Sequence, residues 1–134
     1  MGNKILIVDD DPDIREGMHV RLKHSGYDTC FATDAPSCVA VAREEAPDLI
    51  ILDLGLPAGD GFFAIEQLQS CAELDVIPII VVSARDARAN QERAIRAGAT
   101  AYLQKPVDNA EFLAVIRKAL AKCMLSIDNA PVIV

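Results

Sequence analysis

Two apolar runs of the chain end in carboxylates: KILIVDD from Lys4 to Asp10, and LIILD from Leu49 to Asp53. If both runs are strands, Asp9, Asp10 and Asp53 stand at strand ends, where water is scarce and unpaired charge is costly. Two like charges ~4 Å apart repel by about 4 kcal/mol at an effective dielectric of ~20, so converging carboxylates need a cation or must take up protons. A hard divalent ion with oxygen ligands meets that need. Adjacent parallel strands bring their carboxyl ends to one edge of a sheet, the edge where open α/β folds place ligands, and the three aspartates are expected to meet there. Ser83 directly follows the apolar run IIVV, and Lys105 closely follows AYL. Pro106 biases Lys105 toward an extended backbone, which projects its ammonium over the same edge. Taken alone, a strand-end serine reads as a turn residue, a lysine before proline as a solvated one, and Tyr102 as core. Their common placement is what carries weight.

Short β-rich runs alternate with helical patterns along the chain, and these must position the edge. Strands are expected at Lys4 to Val8, Tyr27 to Ala32, Asp48 to Leu52, Pro78 to Val82 and Thr100 to Leu103. LIIL and IIVV are apolar without alternation, as in strands covered on both faces. Asp11 before Pro12 announces a first helix that Gly26 ends, with Ile14, Met18 and Leu22 as its buried stripe. Asp34 with Pro36 opens a second helix and Pro47 closes it. The last helix starts with Asp108 and Glu111 in capping-box spacing and carries Leu113, Ile116 and Leu120 on one side. Repeated β-α units require right-handed crossovers, so the expected fold is α/β, a doubly wound five-stranded parallel sheet of flavodoxin-like topology in strand order 2-1-3-4-5. Beyond about Leu125 the helical pattern fades. Residues 1–124 are read as one domain and 125–134 as a tail or linker.

Composition narrows the partners. With 134 residues the chain matches one domain. Thirteen Lys and Arg against 20 Asp and Glu leave a formal net charge of -7, which disfavours direct attraction to nucleic acid or anionic membrane. Cys30, Cys38, Cys71 and Cys123 form no CxxC pair and sit within apolar patterns, as reduced thiols in a core do. No apolar stretch approaches the ~20 residues of a membrane span, and strand-like sequence begins at Lys4, which leaves no room for a signal peptide. A cytoplasmic protein is expected. His19 and His24 read as part of a solvated helix face. The helix from about Ala87 to Ala97 has Ile95 as its one large apolar residue and is expected to be weakly held.

VDD at Val8 to Asp10, LDLGLPAGDGF at Leu52 to Phe62, VSAR at Val82 to Arg85 and YLQKP at Tyr102 to Pro106 together resemble the receiver domain of two-component response regulators. The resemblance covers about Lys4 to Cys123, with the motifs in the right order. It implies a phosphorylation switch rather than a metabolic enzyme. Asp53 would accept a phosphoryl group from a phosphohistidine on a sensor histidine kinase or phosphotransfer protein. Asp9, Asp10, Asp53 and the Gly55 carbonyl would hold Mg²⁺, Ser83 would bond one phosphoryl oxygen, and Lys105 would pair with another. Ser83 and Tyr102 would then form the switch, remodelling a face of the fourth helix, fifth strand and fifth helix toward an output domain or dimer partner.

The residue types suit that chemistry. A carboxylate is a weak nucleophile toward phosphorus until its target's charge is neutralised, which Mg²⁺ and Lys105 would do, while Ser83 adds a directed hydrogen bond. Mg²⁺ keeps several waters and uses one or two carboxylates plus phosphate oxygens, so an open acidic cluster fits it better than a closed cage. Gly55 departs from the family, many of whose members carry a larger side chain two residues after the phosphoacceptor; shielding of the acyl phosphate from water is what this puts in question. Arg85 is the other side chain expected over the site. Two rival functions fit less well. A haloacid dehalogenase would make Asp9 the nucleophile of a DxD pair with Asp11, but Asp13 stands where a small apolar residue or Thr is expected. A flavin-binding module would want a Ser/Thr/Gly-rich phosphate loop after the first strand, and Asp9 to Asp11 would repel the phosphate.

Overall fold

The computed structural model describes residues 3–56 and 61–133, with side chains through Ala121. β1 (Lys4–Val8), β2 (Asp28–Ala32), β3 (Leu49–Leu52), β4 (Ile79–Ser83) and β5 (Ala101–Gln104) form one parallel sheet in the order β2-β1-β3-β4-β5. Between and after them run α1 (Pro12–His24), α2 (Ala35–Glu45), α3 (Gly61–Gln69), α4 (Ala87–Ala97) and α5 (Asn109–Ile133). This is the doubly wound, flavodoxin-like arrangement expected from the alternation.

Strand residues sort between two cores by the two-residue period of a pleated strand. Leu6, Val8, Ile50, Leu52, Ile79 and Val81 face the side covered by α2, α3 and α4, while Ile5, Ile7, Leu49, Ile51, Ile80 and Val82 face α1 and α5. Burial on both sides is why LIIL and IIVV show no polar alternation. Tyr27, Asp48, Pro78 and Thr100 lie just before their strands rather than inside them. Asp48 and Thr100 each donate a single N–H to the sheet, and Pro78, which has no N–H, contributes only its carbonyl to Ile50.

The helix ends follow the local chemistry. Asp11 caps α1 by accepting from the Asp13 N–H, and Gly26, at φ 90°, turns the chain out of it. Asp34 and Ser37 form a reciprocal capping box at α2, and Ala46, at φ 48°, ends that helix ahead of Pro47. Asp108 accepts from the Glu111 N–H at the start of α5.

Two expectations need correction. In α5 the residues turned to the sheet are Phe112, Ile116 and Ala119, with Leu113 and Leu120 only partly buried. The bulk of Phe112 sets that face one residue earlier than the leucine pattern suggests. The α5 backbone itself runs on to Ile133. His19 is half-buried rather than solvated: its Nδ1 lies 2.6 Å from the Thr29 hydroxyl and its ring packs edge-on against Phe31. An exposed edge strand, β2, supplies both partners. Cys38 belongs to the core as expected, whereas Cys30 and Cys71 are only partly buried.

α4 is held lightly, though differently from the expectation. Ala94 is its one buried residue, while Ile95 is 43% exposed. Polar contacts replace apolar burial: the Arg93 guanidinium stacks 3.7 Å from the Phe62 ring centroid, and Gln104 Oε1 accepts from the Ala87 N–H at 2.9 Å.

Candidate functional site

Sheet register brings the carboxylates together. Val8 pairs with Leu52, so Asp9 and Asp53 leave neighbouring strands at the same level, and Asp53 N–H donates to the Val8 carbonyl at 3.0 Å. One oxygen from each of Asp9, Asp10 and Asp53 lies within 4.8 Å of the others. Asp9 is buried, Asp53 half-buried and Asp10 exposed. The cluster is therefore closed at its base and open to solvent at Asp10.

Lys105 answers part of this negative charge. Its Nζ is 3.0 Å from Asp9 Oδ2 and 3.7 Å from Asp53 Oδ2. The adjoining backbone is tied to β4 by the Lys105 N–H, which donates to the Ser83 carbonyl at 2.8 Å, and the Lys105–Pro106 peptide is cis. Burial pushes the Asp9 carboxyl above the usual carboxylate range, against the opposing pull of the Asp11 N–H and of Lys105. Desolvation thus wins over the ion pair at Asp9.

Ser83 ends β4 with its side chain buried. Its Oγ accepts from the Arg85 N–H at 3.2 Å, which leaves the hydroxyl proton to donate elsewhere. Arg85 also offers its carbonyl to the Tyr102 hydroxyl at 2.9 Å. Tyr102 is buried, and burial is the main cause that raises its phenol above the ordinary value. One residue of the β4–α4 connection therefore joins Ser83 to Tyr102. Gln104 adds a second tie between β5 and α4.

Two glycines crowd Asp53 differently. A Cβ on Gly55 would lie 3.8 and 3.9 Å from the two Asp53 carboxylate oxygens, in ordinary contact, and the Gly55 N–H donates to Asp53 Oδ1 at 3.2 Å. Gly55 itself sets no side chain against the Asp53 carboxylate. At Gly61 a Cβ would fall 2.5 Å from Leu54 Cα and 2.6 Å from the Asp53 carbonyl oxygen, so only glycine lets α3 start this close to the acidic loop. Residues 57–60 of the LDLGLPAGDGF motif lie outside the described residues.

The structure brings together all the edge residues singled out from the sequence: Asp9, Asp10, Asp53, Gly55, Ser83 and Lys105, with Tyr102 connected through Arg85. Sequence reading missed Arg15, whose Nη1 donates to the Asp9 carbonyl at 2.8 Å, as well as Gln104 and the Phe62 and Arg93 stack. No local pattern marks Gln104, because its partner is 17 residues away. No local pattern marks Arg15 either, because its partner is a backbone carbonyl six residues earlier.

Comparison with known proteins identifies the family. The family model described as the response regulator receiver domain matches residues 5–117. Protein PilH of Pseudomonas aeruginosa is 37% identical over 118 residues, spanning 88% of this chain and 98% of that protein. Response regulator MprA of Mycobacterium ulcerans is 35% identical across 97% of this chain, which spans only 55% of MprA. A crystal structure of the receiver domain of a P. aeruginosa sensor histidine kinase, with a magnesium ion coordinated in its active-site cleft, superposes with a TM-score of 0.83. It is 27% identical, with 90% of this chain and 99% of that one covered. With motif order, sheet order and acidic edge all in agreement, the chain belongs to the receiver-domain family of two-component response regulators.

Proposed function

We propose that Asp53 is the phosphoacceptor, taking a phosphoryl group from a phosphohistidine on a sensor histidine kinase or phosphotransfer protein. The observation that carries this is the position of its carboxylate, at the end of β3 among Asp9, Asp10 and the Lys105 ammonium. An Asp53 oxygen forms the new bond to phosphorus as the phosphorus–nitrogen bond breaks, and the imidazole leaves with that electron pair and a proton from water. Lys105 pairs with a phosphoryl oxygen. Ser83 donates its hydroxyl proton to another while Oγ keeps the Arg85 N–H.

The donor set fits Mg²⁺: three carboxylates, all oxygen, on an edge open enough to leave ion-bound water in place. Asp9, Asp10, Asp53 and the Gly55 carbonyl would hold it, and when bound it neutralises phosphoryl charge. The magnesium in the kinase receiver domain supports this assignment. The chain catalyses its own phosphorylation and dephosphorylation and nothing further.

Phosphorylation is read out through Arg85. Fixing Ser83 on the phosphoryl group holds the Arg85 N–H, and the carbonyl of that same residue, in the next peptide group, accepts from the Tyr102 hydroxyl, which favours one packing of α4 against β5. The face formed by α4, β5 and α5 meets an output domain or dimer partner. Residues 1–124 act as the receiver unit and 125–134 as tail or linker. Among the described residues no helix is long and apolar enough to cross a membrane, and a cytoplasmic kinase domain is the partner this reading requires.

The test is incubation with Mg²⁺ and acetyl phosphate, then borohydride reduction to map the acyl phosphate. Label on Asp53, absent in Asp53→Asn, is expected. Label on Asp9 would favour dehalogenase-like chemistry and overturn the assignment.

A further inference from the structure

We infer that Arg15 is a positioning residue for the Asp10 carboxylate, acting through the Asp9–Asp10 peptide. This rests on the reading of Asp9, Asp10 and Asp53 as a cation-holding cluster. Asp9 is fixed at each of its polar atoms. Its N–H donates to the Ala32 carbonyl at 3.2 Å, and Oδ1 accepts from the Asp11 N–H at 3.0 Å. Its Oδ2 accepts from Lys105 Nζ at 3.0 Å, and its carbonyl from Arg15 Nη1 at 2.8 Å. Asp10 is the opposite case. Its side chain is exposed, and among the described residues its carboxylate has no hydrogen-bond or ion-pair partner. The route by which the described residues hold it runs through its backbone.

The peptide group is planar and stiff, so the donor that pins the Asp9 carbonyl pins the plane from which Asp10 Cα departs. That donor comes from the first turns of α1, itself anchored by the Asp11 cap and by Met18 and Leu22 in the core. Arginine suits the task because its guanidinium keeps its charge and presents several donors in a rigid plane. A purely electrostatic role would show the opposite sign. A fixed positive charge beside the cluster repels a divalent cation, so deleting it for charge alone would tighten metal binding, whereas deleting a positioning contact loosens it.

The experiment is Mn²⁺ titration, followed by electron paramagnetic resonance, of the wild type, Arg15→Ala, Arg15→Lys, Asp10→Asn and the Arg15→Ala/Asp10→Asn double variant. Partners that orient a metal's ligands typically contribute a factor of about ten or more to affinity, and a loss of about tenfold is expected in Arg15→Ala. Arg15→Lys should recover part of it, since an ammonium can also donate to the Asp9 carbonyl. On the Asp10→Asn background Arg15→Ala should add nothing. Unchanged or tighter Mn²⁺ binding in Arg15→Ala, or an equal further loss on that background, overturns the inference. If Arg15→Ala does not fold, Arg15→Met, which keeps the apolar stem and has no donor, decides: affinity equal to wild type refutes the role. A wild type that binds no Mn²⁺ overturns the cluster reading as well, a result distinct from a variant that merely matches a binding wild type.

Discussion

Replacing Lys105 by methionine keeps the length of the side chain and removes its ammonium from the acidic edge. At the observed 3.0 and 3.7 Å, its gross attractions to Asp9 and Asp53 are about 5.5 and 4.5 kcal/mol at an effective dielectric of ~20. Carboxylate oxygens within 4.8 Å of one another repel by about 3.5 kcal/mol or more per pair on the same scale, and the cluster has three such pairs. Attraction and repulsion nearly cancel, so without Lys105 the repulsion stands unopposed. Removing one partner of a buried pair costs about 3 to 5 kcal/mol. Water reaches Lys105 and Asp53, whose side chains are 18% and 14% exposed, which places the expected loss at the lower end. Urea unfolding in the presence of a chelator should show Lys105→Met less stable by about 3 kcal/mol, a melting shift of about 12 °C for a chain of this size. Asp9→Asn added to Lys105→Met should restore most of the loss, because it removes the buried charge left unpaired. A Lys105→Met protein as stable as wild type, or a loss that Asp9→Asn does not relieve, would refute this account of the site.

Gly55→Arg should slow decay of phosphorylated Asp53, since its Cβ would start in contact with both Asp53 oxygens; a tenfold longer lifetime corresponds to about 1.4 kcal/mol of barrier. Decay is followed in Mg²⁺ without kinase, and equal lifetimes would mean that water reaches Asp53 by another route. Gly61→Ala should destabilise the fold by about 1 to 3 kcal/mol and slow acetyl phosphate labelling, because its Cβ cannot sit 2.5 Å from Leu54 Cα without moving the Asp53 loop. A wild-type melting curve and labelling rate would contradict that crowding. Beryllofluoride should increase hydrogen-exchange protection between Ala84 and Tyr102, and unchanged protection would remove the proposed link through Arg85. Burial pushes the Cys38 thiol from 9.0 up to about 12. Between those values the folded chain keeps a proton that the unfolded chain has lost, so stability falls as pH rises, and Cys38→Ala should show a shallower alkaline loss than wild type in urea titrations.

Much of the site was legible because its residues sit next to signals that are themselves local. Asp9, Asp10 and Asp53 close apolar runs, Ser83 follows another, and Lys105 is marked by Pro106, so four separate segments announced their ends. Elements whose orientation depends on a partner were harder. Leu113 looked like part of the buried α5 stripe until Phe112 took that face, and His19 looked solvated until β2 supplied Thr29 and Phe31. Ile95 was the single bulky apolar residue of α4, yet Ala94 is the one that fits against the sheet.

By itself the sequence determined the element order, the parallel sheet and the family, because continuous apolar runs, caps and turn residues act within a few positions of one another. The charge balance of the edge was decided only by tertiary structure: strand register places Asp9 beside Asp53, and Lys105 reaches both from 96 and 52 residues away along the chain. The contacts of Arg15 with a backbone carbonyl, of Gln104 with the first turn of α4, and of Tyr102 with Arg85 were likewise set by folding. Such hydrogen bonds depend on which backbone groups the packed sheet and helices leave within about 3 Å, and no pattern of residue types along the chain encodes that distance.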